Sequence, residues 1–240
     1  MKNIHKLISS ILLLIAFTLT SAKAEDRSFA IGVYGIQSTF DSKGHEEDDN
    51  YTKGSGGVDW DETTKSKDQD YASVFIEMYS PRSLGFSITT GLEYTPGEAS
   101  LGAATRTDTD IDATLAAAGV SKIYSAKAEV KDMFSIYLEP TWGNDTFGIY
   151  GKVGAKHLTI ATLEDLDSGI NSSTYDNKDI WGGSYGAGVK YTHGSGIMVK
   201  LETLKTEYPT LNFNSSTGNK NRVTADIEEE ATRLAIGYAF

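Results

Sequence analysis

The chain has 240 residues, a formal net charge of −11 and no cysteine. The lack of cysteine excludes disulfide scaffolds, zinc–cysteine sites, iron–sulfur clusters and thiol catalysis, and the acidic balance argues against nucleic-acid binding. With 24 glycines and 13 tyrosines against only 4 prolines, the composition favours a β protein rich in glycine and aromatic residues.

The amino terminus has the pattern of a secretory signal peptide. Two lysines precede an apolar run at residues 7–18, and Ala22-Lys23-Ala24 matches the small-x-small cleavage pattern. The run is shorter than the roughly 20 apolar residues that a membrane-spanning helix needs. We therefore predict a cleaved signal peptide at 1–24 and one mature domain at 25–240, in which any passage through a membrane uses strands.

Eight segments of the mature chain alternate between apolar and small or polar residues with a period of two, which is the pattern of β-strands. Strands of roughly 9–12 residues are long enough to cross a bilayer when they are tilted. The segments are residues 29–34, 71–78, 84–94, 134–139, 147–156, 184–191, 197–202 and 233–240.

The connections between these segments alternate in length. Three are tight turns, at residues 80–83, 141–145 and 193–195, and they are rich in turn-forming residues. The other four are long and hold most of the negative charge; they are residues 39–70, 96–122, 158–180 and 207–231. Short periplasmic turns and long extracellular loops are typical of outer-membrane β-barrels, so we predict an all-β, eight-stranded antiparallel up-and-down transmembrane barrel.

One face of the predicted strands is apolar, and the other carries nine ionisable residues among glycines and alanines. We expect the charged face to line the barrel, because small residues suit a crowded eight-stranded interior and opposite charges can pair there. A soluble barrel would have the reverse arrangement. The predicted interior network consists of Glu77, Glu93, Glu139, Lys152, Lys156, Lys190, Lys200, Glu202 and Arg233.

Two roles for this network stay open. An interior filled by paired charges predicts a structural polar plug, whereas loosely paired charges predict a narrow or gated channel. Glu202 is the expected counter-charge of Arg233, because their strands are adjacent in the predicted barrel. Truncating one member of a buried pair is expected to destabilise the barrel whichever role applies.

Catalytic chemistry has one weak candidate, His157, with Thr159 and Glu164 nearby in sequence. This grouping is similar to the outer-leaflet site of small barrels that modify lipid A, but threonine is a poor substitute for a serine nucleophile. We therefore expect His157 to be an interfacial side chain and predict no catalytic residues.

Metal and cofactor sites are also weak in this sequence. Asp108, Asp110 and Asp112 have the opening spacing of a calcium loop, but its glycine and distant glutamate are missing. Residues 109–119 also read as a short capped helix. The acidic runs at 46–49 and 228–230 are expected to be solvated loop residues. We predict no metal and no cofactor.

The carboxy-terminal residues Arg233, Ala235, Tyr238 and Phe240 resemble the assembly signal of outer-membrane barrels, with alanine at the position of its usual glycine. With the strand and loop pattern, the chain resembles the small eight-stranded outer-membrane barrels typified by the outer membrane protein A transmembrane domain and the opacity surface proteins. The resemblance implies a Gram-negative outer membrane and a non-enzymatic role in envelope structure or surface interaction. It also implies outer-membrane lipid, lipopolysaccharide, the barrel assembly machinery and an extracellular molecule as partners. A narrow channel and a lipid-modifying enzyme remain alternatives.

Overall fold

The structure of the protein is a computed structural model, which describes residues 27–47, 63–109, 121–166, 174–216 and 222–240. The predicted signal peptide lies outside the described residues. Within these ranges no helix is long and apolar enough to cross a membrane. The strands are β1 (Phe29–Glu47), β2 (Thr63–Tyr79), β3 (Phe86–Thr109), β4 (Ser121–Gly143), β5 (Phe147–Leu166), β6 (Lys178–Thr192), β7 (Ile197–Glu207), β8 (Leu211–Asn214) and β9 (Arg222–Ala239).

The strands form a closed antiparallel barrel. Strands β1 to β7 pair in chain order, β7 pairs with β9, and β9 returns to pair with β1. The eight barrel strands confirm the predicted fold class. The short ninth strand, β8, pairs only with the start of β9, within a segment that was predicted to be a loop.

The barrel strand β7 has 11 residues, within the predicted 9–12, but the other seven barrel strands are longer than predicted, from 15 residues in β6 to 24 in β3. Much of each predicted long loop continues the ladder: Lys43 pairs with Thr64, for example, and Glu46 pairs with Val223. These extensions are largely polar on their outer face and carry apolar residues mainly on the inner one, so their alternation is weaker, but their backbone groups still pair. The segments that the sequence assigned to loops are therefore largely β-ladder.

The wall is incomplete between β2 and β3. These strands pair only from Val74–Tyr94 to Tyr79–Thr89, although both continue well beyond the first of these pairs. Among the described residues, the stretch 63–73 of β2 pairs with β1 alone, and the stretch 95–109 of β3 pairs with β4 alone. The barrel wall therefore has a lateral opening between β2 and β3 in the half that lies away from the tight turns.

The outer surface divides the barrel into two parts. Near the turns, large apolar side chains point outward and form a belt, each between 37% and 58% exposed. We call this part the lower barrel; it comprises residues 29–36, 72–79, 86–95, 134–142, 147–157, 181–191, 197–203 and 232–240. The remaining strand segments form the upper barrel, whose outward positions include Gln37, Asp41, Asp70, Glu228 and Glu230, all of them exposed.

The interior of the upper barrel holds the larger apolar core. Its buried members come from six barrel strands, from β8 and from the segment after β7. A bulge in β4 at Asp132, whose φ is +53°, lets both Val130 and Met133 point inward. The core consists of Phe40, Ala99, Val130, Met133, Leu158, Ile160, Ile180, Tyr208, Leu211, Phe213 and Ile227.

Candidate functional site: the charge network inside the barrel

All nine charged residues assigned to the interior from the sequence lie inside the lower barrel, and none is more than 7% exposed. Alternation on each strand turns them inward, where the glycines beside them leave room. A Cβ at Gly91 would lie 2.1 Å from the ring of Tyr137, and one at Gly188 would lie 2.6 Å from the ring of Tyr150. These two tyrosines fill the space beside the charges because their neighbours lack side chains.

Lys200 is the centre of the network. Its Nζ lies 2.5 Å from a carboxylate oxygen of Glu77 and 2.7 Å from one of Glu139. The hydroxyl of Tyr137 donates a further hydrogen bond to Glu77, at 2.9 Å. Because all three charges are fully buried, the ammonium and the two carboxylates depend on each other for solvation.

Lys152 and Arg233 extend the network to the remaining carboxylates. Lys152 Nζ lies 3.3 Å from Glu139 and 3.1 Å from Glu202. Arg233 pairs with Glu202 at 3.0 Å through one nitrogen and with Glu93 through another. The expected Glu202–Arg233 pair follows from the register, in which the two residues face each other across β7 and β9. Glu93 as a second partner was missed, because it reaches Arg233 across the lumen.

A second, smaller cluster lies above the first and contains a residue that the sequence assigned to a solvated loop. Glu229 is only 2% exposed and pairs with Lys156 at 2.6 Å. The hydroxyls of Tyr71 and Tyr208 also donate to Glu229. Burial raises the pKa of Tyr208, just beyond β7, well above its usual value, so this hydroxyl keeps its proton at neutral pH.

The assignment of 228–230 to a solvated loop was therefore wrong for Glu229 alone, since Glu228 and Glu230 point outward and are exposed. The inward position of Glu229 could have been predicted by following the alternation of β9 from Arg233 back through Ala231 to Glu229. With Glu229 included, the described interior holds five acidic and five basic residues. The nine residues predicted from the sequence alone carry one more basic than acidic group, and Glu229 balances this difference.

The described interior is neutral, and little space remains between its two charge clusters. The space between the two charge clusters is about 10 Å³ and is lined by residues that include Lys156, Glu93 and Arg233. A cavity of that size is at the lower limit for a single water molecule. Above it, the apolar core occupies the upper barrel. The ion pairs and the core therefore hold the wall together from inside.

His157 lies on the outer surface at the upper edge of the belt. Its ring stacks on Phe134, with centroids 4.7 Å apart, and meets Trp181 edge-on at 5.2 Å. Thr159 donates a 2.5 Å hydrogen bond to Asp179. The side chain of Glu164 lies outside the described residues. The contacts of His157 are those of an interfacial aromatic cluster.

The possible calcium loop at Asp108, Asp110 and Asp112 is not supported by the described residues. Asp108 belongs to β3, whereas Asp110 and Asp112, with nearly all of the predicted helix 109–119, lie outside the described residues. Among the side chains that the structure describes, no group of three or more His, Cys, Asp or Glu residues could hold a metal ion.

The carboxy terminus closes the barrel. Phe240 accepts hydrogen bonds from the backbone N–H groups of Ser28 and Phe29 and donates one to the carbonyl of Phe29. Its ring stacks with those of Phe29 and Tyr238, at 6.3 and 6.4 Å between centroids. The two terminal aromatic residues therefore lie on the outer surface where β9 pairs with β1 and closes the barrel.

Comparison with known proteins supports the fold and leaves the function open. No family model matches the chain, and no curated protein matches it. Among solved structures, OprG from Pseudomonas aeruginosa is 16% identical, with a TM-score of 0.53 over 91% of this chain and 99% of that one. The OmpT protease from Escherichia coli (10% identity, TM-score 0.45, 92% and 99% covered) and Ail of Yersinia pestis (13%, 0.39, 87% and 99%) are more distant in fold. The closed eight-stranded sheet and its similarity to OprG show that this chain has the fold of a small outer-membrane β-barrel.

Proposed function

We propose that the protein is a non-enzymatic outer-membrane surface protein, whose lower barrel is a solid membrane anchor and whose upper barrel projects from the cell as an acidic interaction surface. The filled interior supports this proposal most strongly. Ten paired or enclosed charges and an apolar core occupy the space that a pore would need. What remains outside is an apolar belt for lipid and a polar surface above it.

Several features of the chain support the location. A signal peptide at 1–24 would direct export and then be cleaved. Tyr238 and Phe240 would be recognised by the barrel assembly machinery as the terminal aromatic residues of the last strand. The belt has the alternation that lipid contact requires, and aromatic side chains such as Trp142 and Trp181 lie at its edges. The upper barrel would then meet lipopolysaccharide at its base and extracellular molecules above.

Fractionation of cells that produce the full chain tests the location. We expect the protein in the outer membrane, with a mature amino terminus at Glu25. In mild SDS the unheated protein should migrate differently from the boiled protein, because a closed barrel leaves no free strand edge in its lower part. Recovery from the periplasm without detergent would overturn the proposal.

Protease digestion of intact cells tests the orientation. Cleavage is expected in the long connections, within 39–70 or 207–231, because exposed polar segments are the preferred sites of proteolysis. The turns 80–83 and 193–195 should be cut only after the outer membrane is permeabilised. Cleavage confined to these turns in intact cells would invert the orientation.

Two measurements separate the proposed role from its alternatives. Purified protein in planar bilayers should give no stable conductance, because opening a path requires the buried pairs around Lys200 to separate. A reproducible ohmic conductance would favour the narrow channel. Mass analysis of lipid A from cells with wild-type protein, with His157→Ala and without the protein should give identical spectra. A modification lost in His157→Ala would favour a lipid-modifying enzyme.

A further inference from the structure

A basin at the turn end of the barrel combines three cations with a single carboxylate. Its volume is about 90 Å³, and Arg27, Arg82, Lys190 and Asp145 line it together with the hydroxyl-bearing residues Ser87 and Thr192. The basin opens below the charge network, on the side away from the upper barrel. It belongs to neither cluster described above.

Lys190 is the unusual member of this group. It is only 7% exposed, and its Nζ lies 4.6 Å from the ring centroid of Tyr79. Among the described residues it has no carboxylate partner. The other four interior cations each lie within 3.1 Å of a carboxylate oxygen. Because burying an unpaired ammonium is costly, the pocket beside Lys190 is incomplete without an anion.

The two arginines add positive charge that the described residues lining the basin only partly balance. Arg27 donates to the carbonyl of Gly194 at 2.6 Å, and Arg82 donates to that of Gly85 at 3.2 Å. Asp145 lies 3.4 Å from Arg82 and is the single carboxylate among the residues that line the basin. Backbone carbonyls fix the guanidinium groups without neutralising them, so the basin keeps a formal charge of about +2, which suits a doubly charged oxyanion.

We propose that this basin binds a phosphate group. Lys190 contacts the anion from the barrel side and the two arginines contact it from the turns, and hydroxyl groups such as those of Ser87 and Thr192 donate further hydrogen bonds. Phe147 of the belt also lines the basin, so the site lies at the lower edge of the apolar surface. The phosphate is therefore either a free ion or the headgroup of a lipid in the adjacent leaflet.

The test uses the full mature barrel refolded in maltoside micelles, which contain no phosphate, and titrates it with inorganic phosphate by calorimetry. We expect saturable binding at one site. Removing one charged contact, by Lys190→Met or Arg82→Gln, should weaken binding about tenfold, which corresponds to the loss of one charge-assisted hydrogen bond. The matched control is Lys205→Met, which removes a partly exposed cation on the outer surface of the upper barrel, and it should bind phosphate as the wild type does.

Competition then separates the two sources of phosphate. If short-chain phosphatidic acid displaces inorganic phosphate, the site takes a lipid headgroup; if it does not, the site takes a free ion. Heat-modified migration in SDS shows for each variant whether the barrel is folded. Absence of saturable phosphate binding by the wild type, or wild-type affinity in folded Lys190→Met, would overturn the proposal.

Discussion

The same strands carry apolar residues on their outer face in the lower barrel and polar residues on that face in the upper barrel. On β9, the outward residues change from Ile236 and Leu234 in the lower barrel to Glu230 and Glu228 in the upper barrel. The inward residues change in the other direction, from Arg233 to Ile227. The charged residues that line the lower barrel and the apolar residues that fill the upper barrel therefore belong to one continuous sheet.

The prevailing side chains inside each half of the barrel are those that its proposed surroundings disfavour on the outer surface. If hydrocarbon surrounds the lower barrel, as proposed, apolar side chains gain nothing from turning inward, whereas charged groups can be satisfied only inside. Where water surrounds the wall, apolar side chains such as Phe40 and Leu158 gain free energy by turning inward. Charge pairs dominate the interior of the lower barrel, beside a smaller apolar cluster that includes Phe75 and Met198, and apolar packing dominates the interior of the upper barrel.

The largest expected effect tests the paired interior of the lower barrel. Lys200→Met should destabilise the barrel by about 3–5 kcal/mol, because Glu77 loses its cation in a buried site. Urea unfolding in lipid vesicles measures the change. The control Lys205→Met removes a partly exposed ion pair with Glu228 on the outer surface, so it should cost no more than about 1 kcal/mol.

A second variant separates lost charge pairing from altered packing. The double variant Lys200→Met with Glu77→Leu should recover much of the lost stability, because it removes both members of the pair. A double variant as unstable as Lys200→Met would show that packing dominates the effect, and the paired-charge account of the lower barrel would be wrong.

The second prediction compares the two faces of β9. Arg233→Leu should cost about 2–4 kcal/mol, because Glu93 then lacks a cation. Ile236→Leu, at a position 58% exposed on the belt, should leave the urea midpoint nearly unchanged. Ile236→Arg should cost about 2–4 kcal/mol, because the guanidinium would face hydrocarbon. A harmless Arg233→Leu together with a destabilising Ile236→Leu would reverse the inside and outside assignments.

The third prediction compares one leucine from each half. Leu158 is fully buried in the upper core, whereas Leu138 points outward from the belt. Leu158→Ala should cost about 1–2 kcal/mol more than Leu138→Ala, because a cavity remains in a packed core whereas acyl chains fill the space at the lipid surface. Equal losses in urea unfolding would show that the upper core is loosely packed.

The sequence predicted the lower barrel well, and the reason is physical. Lipid contact and a crowded interior both constrain side-chain character there, so that Leu234, Ile236 and Tyr238 alternate with Arg233, Ala235 and Gly237. Each strand therefore carries a signal on both faces, and the fold class and the inward position of the nine charges could be derived from it.

The upper barrel carries a weaker signal. Residues 63–70 are polar on both faces of the strand, so they show no apolar alternation. The bulge at Asp132 shifts the period of two between Val130 and Phe134. Glu229 stands between two exposed glutamates, and its inward position shows only when the alternation of β9 is followed back from Arg233 through Ala231. The pairing of Glu93 with Arg233 depends on the diameter of the closed barrel, and the alternation of residues along a strand gives no information about that diameter.

The smallest expected effect lies where the two halves meet. Tyr208→Phe keeps the buried ring but removes the hydroxyl that donates to Glu229, so at neutral pH it should cost about 0.5–1.5 kcal/mol. Burial raises the pKa of Tyr208 in the folded state, so its contribution is complete below the unfolded pKa near 10 and is lost as the pH rises above it. The stability difference between wild type and Tyr208→Phe in urea unfolding should therefore shrink from pH 9 to pH 11. A difference that stays constant or grows over this range would show that Tyr208 ionises freely in the folded barrel and that water reaches the boundary between the two interiors.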